Sequence, residues 1–160
     1  MFTNPLPDSE DYRIFFSDYA QRHHIKRFAK DYKGKRWIIT QDSIFQDLKR
    51  VHSMQMTQQV DELKSGDGCK LFKYDFAVAQ SGISPKASGN RCIVFLDVAN
   101  HRQDVLLVYG KNDLPKNMGE TQYIYKIIAD EFSDFWKKLS YLINQRFFAQ
   151  SNTQYQSCLN

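Results

Sequence analysis

The strongest constraint on the fold is the segment 69–78, in which the side chains alternate between two sides. Side chains on a β-strand point to opposite faces in turn, so a repeat of two residues predicts a strand that packs one face against a core. One side of this segment is aromatic and β-branched, whereas the other is mixed. The first side consists of Phe72, Tyr74, Phe76 and Val78, and the second of Leu71, Lys73, Asp75 and Ala77.

Two more strands are predicted directly after this one. The loop 79–90 is polar and contains glycine and proline, and it leads into the apolar segment 91–98. A polar stretch, 99–103, separates this segment from a second apolar run, 104–109. Short apolar runs divided by turn residues favour a hairpin, so we expect the three strands to form an antiparallel meander. The apolar run 12–16 could open the same sheet.

Three helical pieces are predicted in the N-terminal half. Apolar residues recur at helical spacing in 21–33, and Gly34 breaks this pattern. A second helix is predicted over 40–51, with Thr40 as its N-cap. A third piece, 56–63, is predicted from Met56, Val60 and Leu63, and it would end at the turn-like sequence 65–68.

A long C-terminal helix is predicted beyond 111–115. Asn117 and Glu120 have the spacing of a capping box, and an apolar stripe then continues for roughly 24 residues. We therefore expect an α+β fold, in which an antiparallel β-sheet of about four strands packs against N-terminal helices and this long helix. A length of 160 residues with 42% hydrophobic residues suits one core. The expected organisation is an irregular lead-in (1–11), a single domain (12–144) and a polar tail (145–160).

Several classes of protein are excluded by the motifs that the sequence lacks. It contains no GxGxxG, P-loop, HExxH or GxSxG pattern, and its histidines lack metal-ligand spacing, so we expect neither a metal nor a cofactor. Without a signal peptide or a long apolar run, it is expected to be cytoplasmic and to have no membrane partner. Its 3 cysteines form no CxxC pair, which indicates neither a disulfide framework nor a zinc site.

Positive charge is concentrated rather than spread evenly. The formal net charge is only +4, but the segment 22–36 contains a single acid, Asp31, among many basic residues. Such a cluster can meet phosphates or an acidic partner. Its basic residues are Arg22, Lys26, Arg27, Lys30, Lys33, Lys35 and Arg36.

A second group of cations surrounds the predicted sheet. Its members are Lys73 on the first meander strand, Lys86 in the next loop, Arg91 at the head of the second strand and Lys111 after the third. Strand ends and loops of a meander can meet at one edge, so these residues could line one cleft. Positive charge there suits RNA cleavage by the 2′-hydroxyl, because negative charge accumulates on the pentacovalent phosphorane during this reaction. Any one of these cations, considered alone, is most often a solvated surface residue.

The order of these parts resembles that of RelE/HigB-type toxins from bacterial type II toxin–antitoxin pairs. Lys73-Tyr-Asp-Phe-Ala-Val-Ala followed by Ser84-Pro-Lys-Ala-Ser-Gly-Asn-Arg91 looks like the family's K-x-R strand and its G-K-S-G-G-Y-R loop. Tyr109-Gly-Lys111-Asn-Asp113 is similar to Y-x-K-x-D/E, and Asn117-Met-Gly-Glu120 to an N-x-x-x-E-like entry into a helix. The resemblance covers about residues 12 to 130.

This resemblance implies a RelE-like fold and an mRNA interferase, an endoribonuclease that inhibits translation by cutting ribosome-bound mRNA. It also implies a cognate antitoxin, ribosome and mRNA as partners, and contact with operator DNA only through the antitoxin complex. The catalytic residues would be Lys86, Arg91 and Lys111. The RNA-binding residues would be Lys26, Arg27, Lys30, Lys33, Lys35, Arg36 and Lys73.

The sequence departs from the family pattern at several positions. Pro85 and Ala87 alter the loop. Asp75 stands where the strand commonly has an arginine, Asn90 replaces an aromatic residue, and Asn112 stands where some relatives have a functional arginine. These departures leave two other hypotheses open. The chain could be a non-catalytic ParE-like toxin that inhibits DNA gyrase, or a RelE-like protein-binding module that has lost cleavage.

Overall fold

The structure, a computed structural model, describes residues 12–66 and 68–140. The predicted lead-in (1–11) and polar tail (145–160) lie outside the described residues. The first element is strand β1 (Arg13–Phe16), which the apolar run 12–16 predicted. A helical stretch follows, made of α1 (Asp18–Ala20), a π-helical segment (Gln21–Ile25) and α2 (Lys26–Asp31).

Two further helices complete the N-terminal half, namely α3 (Arg36–Lys49) and α4 (Val51–Met54). The predicted start of the second helix at Thr40 is wrong, because Thr40 lies one turn inside α3. Its hydroxyl donates to the carbonyl of Arg36 at 2.8 Å and accepts from the amide of Ala79 at 2.8 Å. Thr40 therefore ties the helix to the loop after the central strand rather than capping it.

The predicted three-stranded meander is confirmed, and a fourth strand precedes it. The strands are β2 (Val60–Gly66), β3 (Cys69–Phe76), β4 (Asn90–Asp97) and β5 (Arg102–Tyr109). The helix predicted over 56–63 is wrong, because β2 occupies the second half of that range. Val60 pairs with Tyr74 of β3, and a bulge lies between Glu62 and Lys64. Pairing with a neighbouring strand overrides the weak helical spacing in so short a segment.

The sheet has five strands in the order β1-β5-β4-β3-β2. This corrects two expectations, since the sheet has one strand more than expected and is mixed rather than antiparallel. Strand β1 runs parallel to β5, with Arg13 opposite Arg102 and Phe16 opposite Val105. Parallel neighbours need a long connection, which the helices and strands between β1 and β5 supply.

Helices cover both faces of the sheet. The N-terminal helices pack through Phe28, Trp37 and Ile44 against the face that carries Phe72 and Val94. The opposite face carries Leu71, Ile93, Phe95, Leu106 and Leu107, and it is covered through Ile124, Ile128 and Leu139. The sheet is therefore the middle of three layers.

The C-terminal helix is shorter than predicted. Helix α6 (Glu120–Glu131) ends at Phe132, whose φ of −132° and ψ of 51° are not helical, and a separate helical segment covers 133–140. The bend lets Phe135 pack against Phe95, with ring centroids 4.8 Å apart. The predicted capping box is also wrong, because the N-cap is Gly119 and no side chain bonds the free amides.

Candidate functional site

Three cations from separate segments surround a pocket of about 270 Å³ at one end of the sheet. Lys86 belongs to the short helix α5 (Pro85–Ser88), Arg91 to the start of β4, and Lys111 to the turn after β5. We call this space the cation pocket. It is lined by Lys86, Ala87, Gly89, Arg91, Lys111, Leu114 and Glu120.

Helix α5 is fixed by hydrogen bonds of its own serines. The Ser84 hydroxyl caps it by accepting from the amide of Ala87 at 3.3 Å, and Pro85 suits the first helical turn. The Ser88 hydroxyl donates to the carbonyl of Phe76 at 2.6 Å and accepts from the amide of Asn90 at 3.0 Å. The loop that carries Lys86 is thereby attached to the end of β3.

Gly89 allows this loop to approach Lys111. Its φ of 74° lies in the left-handed region, which suits glycine. A Cβ placed on Gly89 would lie 2.8 Å from the Cβ of Lys111, which is too close for two carbon atoms. The glycine therefore lets the turns that carry Lys86 and Lys111 pack against each other.

Lys86 and Lys111 differ from Arg91 in how their charge is used. Both lysines are exposed, and within 12–66 and 68–140 neither forms an ion pair. The Arg91 side chain is 18% exposed, and its Nε lies 3.3 Å from Asp75 Oδ1 and 3.0 Å from Glu120 Oε1. Its Nε and Nη1 are buried, so Nη2 is the nitrogen through which Arg91 can reach a ligand. The charge available in the pocket belongs mainly to the two lysines.

Asp75 is buried beside Arg91 in the sheet. It is 2% exposed and faces Arg91 across β3 and β4. Burial raises the pKa of this carboxyl, and the positive charges of Arg91 and Lys73 act in the opposite direction. Asp75 and Glu120 therefore together neutralise a largely buried arginine.

Glu120 connects the cation pocket to the sheet. It accepts a hydrogen bond from the Tyr109 hydroxyl at 2.9 Å and another from Lys73 Nζ at 3.4 Å, in addition to its contact with Arg91. Burial and this carboxylate raise the pKa of Tyr109. Lys73 also contacts Asp61 at 3.5 Å. Sequence reasoning gave Glu120 a capping role and missed its role as a charge partner, for which the spacing of cations offered no signal.

The predicted RNA-binding cations fall into two groups. Arg27 pairs with both carboxylate oxygens of Asp113, and Arg36 donates to the carbonyl of Ala79 at 3.1 Å, so both hold the structure together, as Lys73 does. The other group is exposed and makes no ion pair with any residue that the structure describes. This group consists of Lys26, Lys30, Lys33 and Lys35.

Asp113 fixes the turn after β5 (Lys111–Asp113) against helix α2. Its Oδ2 accepts from Arg27 Nη2 at 2.6 Å and from the amide of Gly110 at 2.6 Å. Burial acts to raise the pKa of Asp113, but the hydrogen bonds from Arg27 and Gly110 outweigh it and lower the pKa. The position of Lys111 therefore depends on a bond to another element.

A larger pocket of about 590 Å³ lies beside the first and shares Lys111 with it. We call it the α2 pocket, because Arg27, Phe28, Asp31 and Tyr32 of the α2 region form one wall. The remaining walls come from the 78–90 region and from the turn after β5. They consist of Val78, Ser81, Ile83, Ser88, Asn90, Gly110, Lys111, Asn112 and Asp113.

His24, in the π-helical segment, lies buried near Asp113 and Tyr109. It is 6% exposed, and its Nδ1 has no hydrogen-bond partner. Burial lowers its pKa from 6.5 to about 4, although Asp113 acts to raise it. The imidazole is therefore neutral at pH 7 and belongs to the packing beneath the turn.

The described residues, 12–66 and 68–140, contain no group of three or more His, Cys, Asp or Glu side chains placed to hold a metal ion. None of their helices combines the length and the apolar character needed to cross a membrane. Comparison of the chain with protein-family models, curated proteins and solved structures finds no match.

Proposed function

We propose that this chain is a RelE-like toxin that binds the phosphate backbone of ribosome-bound mRNA at the cation pocket and cleaves it there. The observation that carries the proposal is the convergence of Lys86, Arg91 and Lys111, from three separate segments, around one space. Two of these cations have no counter-ion among the described residues. Such a protein would act in the cytoplasm and would need a cognate antitoxin.

The proposed reaction is attack of a 2′-hydroxyl on the adjacent phosphorus. A bond forms between the 2′-oxygen and phosphorus while the bond to the 5′-oxygen breaks, which leaves a 2′,3′-cyclic phosphate and a 5′-hydroxyl end. Lys86 and Lys111 would neutralise the charge that collects on the phosphorane, and Arg91 would contribute through Nη2. The turns that carry the two lysines pack against each other at Gly89, so both charges line the same space.

Proton transfer can be assigned to groups in the same pocket. Glu120 is the one carboxylate among the lining residues, so it would accept the proton of the 2′-hydroxyl. Its contacts with Arg91, Lys73 and Tyr109 hold it in place for this. One of the two lysines would donate a proton to the departing 5′-oxygen, so that protons balance.

Induced expression followed by mapping of RNA 5′ ends tests the proposal. New ends within translated messages are expected for the wild type, and Lys86→Ala or Lys111→Ala should reduce them about a hundredfold, the usual effect of removing one group that stabilises a developing charge. Lys126→Ala is a matched control, because Lys126 pairs with Asp130 on the exposed side of α6 and lines neither pocket. Growth arrest without new ends would contradict cleavage.

A second candidate function is a ParE-like toxin that inhibits DNA gyrase without cutting RNA. The observation that favours it is the pairing of Arg91 with Asp75 and Glu120, which reduces the charge that Arg91 can offer to a phosphate. Under this alternative, DNA supercoiling should fall on induction while the RNA 5′ ends stay unchanged. RNA 5′ ends and DNA supercoiling, measured in the same induced cultures, therefore distinguish the two functions.

A further inference from the structure

The α2 pocket adjoins the cation pocket, and Lys111 lines both. A ligand whose phosphate lies near Lys86 and Lys111 would extend into the α2 pocket if it carried a further group on that side. The volume of about 590 Å³ falls within the usual range of ligand pockets. The two spaces thus form one site with two different compartments.

The charges of the α2 pocket do not favour a second phosphate. The pocket is lined by two cations, Arg27 and Lys111, and by two carboxylates, Asp31 and Asp113, so its formal charges cancel. Both carboxylates lie against Arg27. The cation pocket, by contrast, contains two unpaired lysines. The larger compartment is therefore suited to an uncharged group.

Its walls combine flat apolar surfaces with free amides. The ring of Tyr32 is half-buried and Ile83 on the rim is 52% exposed, whereas Phe28 is 3% exposed and stacks on Tyr32 and Trp37, so Tyr32 and Ile83 are the apolar side chains that a ligand can reach. Among the described residues, the side-chain amides of Asn90 and Asn112 form no hydrogen bonds with the protein. An amide that offers both a donor and an acceptor can read the edge of a planar heterocycle.

We infer that the α2 pocket is a nucleobase subsite, which takes one base of the single-stranded RNA whose phosphate occupies the cation pocket. This inference rests on the proposed function and deepens it. Bases of single-stranded RNA stack on aromatic side chains and expose their edges to polar groups, which matches the walls described above. Ile83 would be covered by the bound base.

Binding of small ligands to the full chain tests the inference. The probes are inorganic phosphate, ribose 5-phosphate and the 5′- and 3′-monophosphates of the four ribonucleosides, titrated by NMR or calorimetry. At least one nucleotide should bind about tenfold more tightly than ribose 5-phosphate, because stacking of one base adds an effect of this size. Equal affinity of all the nucleotides and ribose 5-phosphate would overturn the inference.

Single-residue variants show which side chains produce the higher affinity of a nucleotide over ribose 5-phosphate. Ile83→Ser and Asn112→Ala should each remove at least about half of the gain in affinity, measured on a logarithmic scale. Ile38→Ser should leave the gain unchanged, because Ile38 is 67% exposed and lines neither pocket. Retention of the full gain in both pocket variants would place the base elsewhere and overturn the inference.

Two further arms separate this inference from the proposed function. Lys86→Ala should weaken the binding of inorganic phosphate, ribose 5-phosphate and nucleotides alike, whether or not the α2 pocket binds a base. If it changes none of these affinities, the proposed phosphate site fails, and the inference fails with it.

A 2′-O-methyl RNA pentamer, which cannot cleave itself, should bind more tightly than the best mononucleotide. Weaker binding of the pentamer would identify a free nucleotide as the occupant and would overturn the assignment to RNA.

Discussion

Residues of the same charge have different uses in this site. Lys86 and Lys111 extend into solvent, whereas Arg91 lies between Asp75 and Glu120. An exposed, unpaired charge can contact a ligand without breaking other interactions. A buried, paired charge must first break its contacts with its partners, which costs free energy. The two lysines therefore dominate the predicted affinity for phosphate.

Gly89 controls the distance between these lysines. Gly89→Ala should lower the free energy of unfolding by more than about 1 to 2 kcal/mol, because left-handed backbone alone costs that much in a non-glycine residue and the new Cβ would also clash with Lys111. It should also weaken RNA binding, because the new methyl group would displace Lys111. Urea denaturation and an RNA titration measure the two effects.

Gly68→Ala is the matched control for this change. Gly68 has a similar φ of 71°, but a Cβ there would meet no atom within 4 Å. Gly68→Ala should lose only the about 1 to 2 kcal/mol that left-handed backbone costs, and it should keep the RNA affinity of the wild type. If both variants bind RNA as the wild type does, the contact between Gly89 and Lys111 does not position the site.

His24 makes stability depend on pH. Its pKa is lowered from 6.5 to about 4 in the folded state, so between these values the unfolded chain binds more protons than the folded one. The stabilisation is complete above pH 6.5 and is lost as the pH falls toward 4, by on the order of 3 kcal/mol in total. His24→Phe should flatten the dependence of unfolding free energy on pH in this range.

A substitution that removes no ionisable group provides the control for this measurement. Ile44→Val deletes one buried methyl group, so it should lower the free energy of unfolding by about 1 kcal/mol at every pH and keep the shape of the wild-type profile. Denaturation by urea at several pH values between 4 and 7 gives the profiles. Parallel profiles for the wild type and His24→Phe would show that folding leaves the pKa of His24 unchanged, which contradicts the burial effect.

At the scale of elements, helix α2 and the turn after β5 act as one unit. Arg27 and Asp113 join them through two hydrogen bonds, and Asp113 also holds the amide of Gly110. Arg27→Ala and Asp113→Ala should each destabilise the fold by about 1 to 2 kcal/mol, a modest effect because the Arg27 side chain is 40% exposed.

A double-mutant cycle measures this coupling. The double variant should lose about 1 kcal/mol less than the sum of the two single losses, because the shared bond is removed only once. Strictly additive losses, measured by urea denaturation, would show that α2 does not hold the turn.

The elements that the sequence predicted well are those with a clear period. Alternation in 69–78 predicted β3 and the face on which Phe72 and Tyr74 lie, because both follow from strand geometry alone. Strand β2 was predicted as a helix, since three apolar residues at helical spacing in a short polar segment do not reveal pairing with β3. The bend at Phe132 depends on packing against Phe95, which no local pattern contains.

At the scale of the whole molecule, the topology assembles the site. The start of β4, the loop before it and the turn after β5 lie at the same end of the sheet because β4 and β5 are antiparallel neighbours, with Arg91 opposite Tyr109. The meander therefore made the convergence of Lys86, Arg91 and Lys111 predictable. The pairing of Arg91 with Asp75 and the network around Glu120 were not predictable, since they depend on burial and on contacts between distant elements.

The salt dependence of RNA binding tests most directly the claim that the cation pocket binds RNA phosphates. For a 12-nucleotide 2′-O-methyl RNA, the slope of log Kobs against log salt concentration should become shallower by about 0.7 for Lys86→Ala and again for Lys111→Ala, because each variant loses one phosphate contact on a single strand. Lys126→Ala should keep the slope and the affinity of the wild type. Wild-type slopes and affinities in both pocket variants would contradict the assignment of this pocket to RNA.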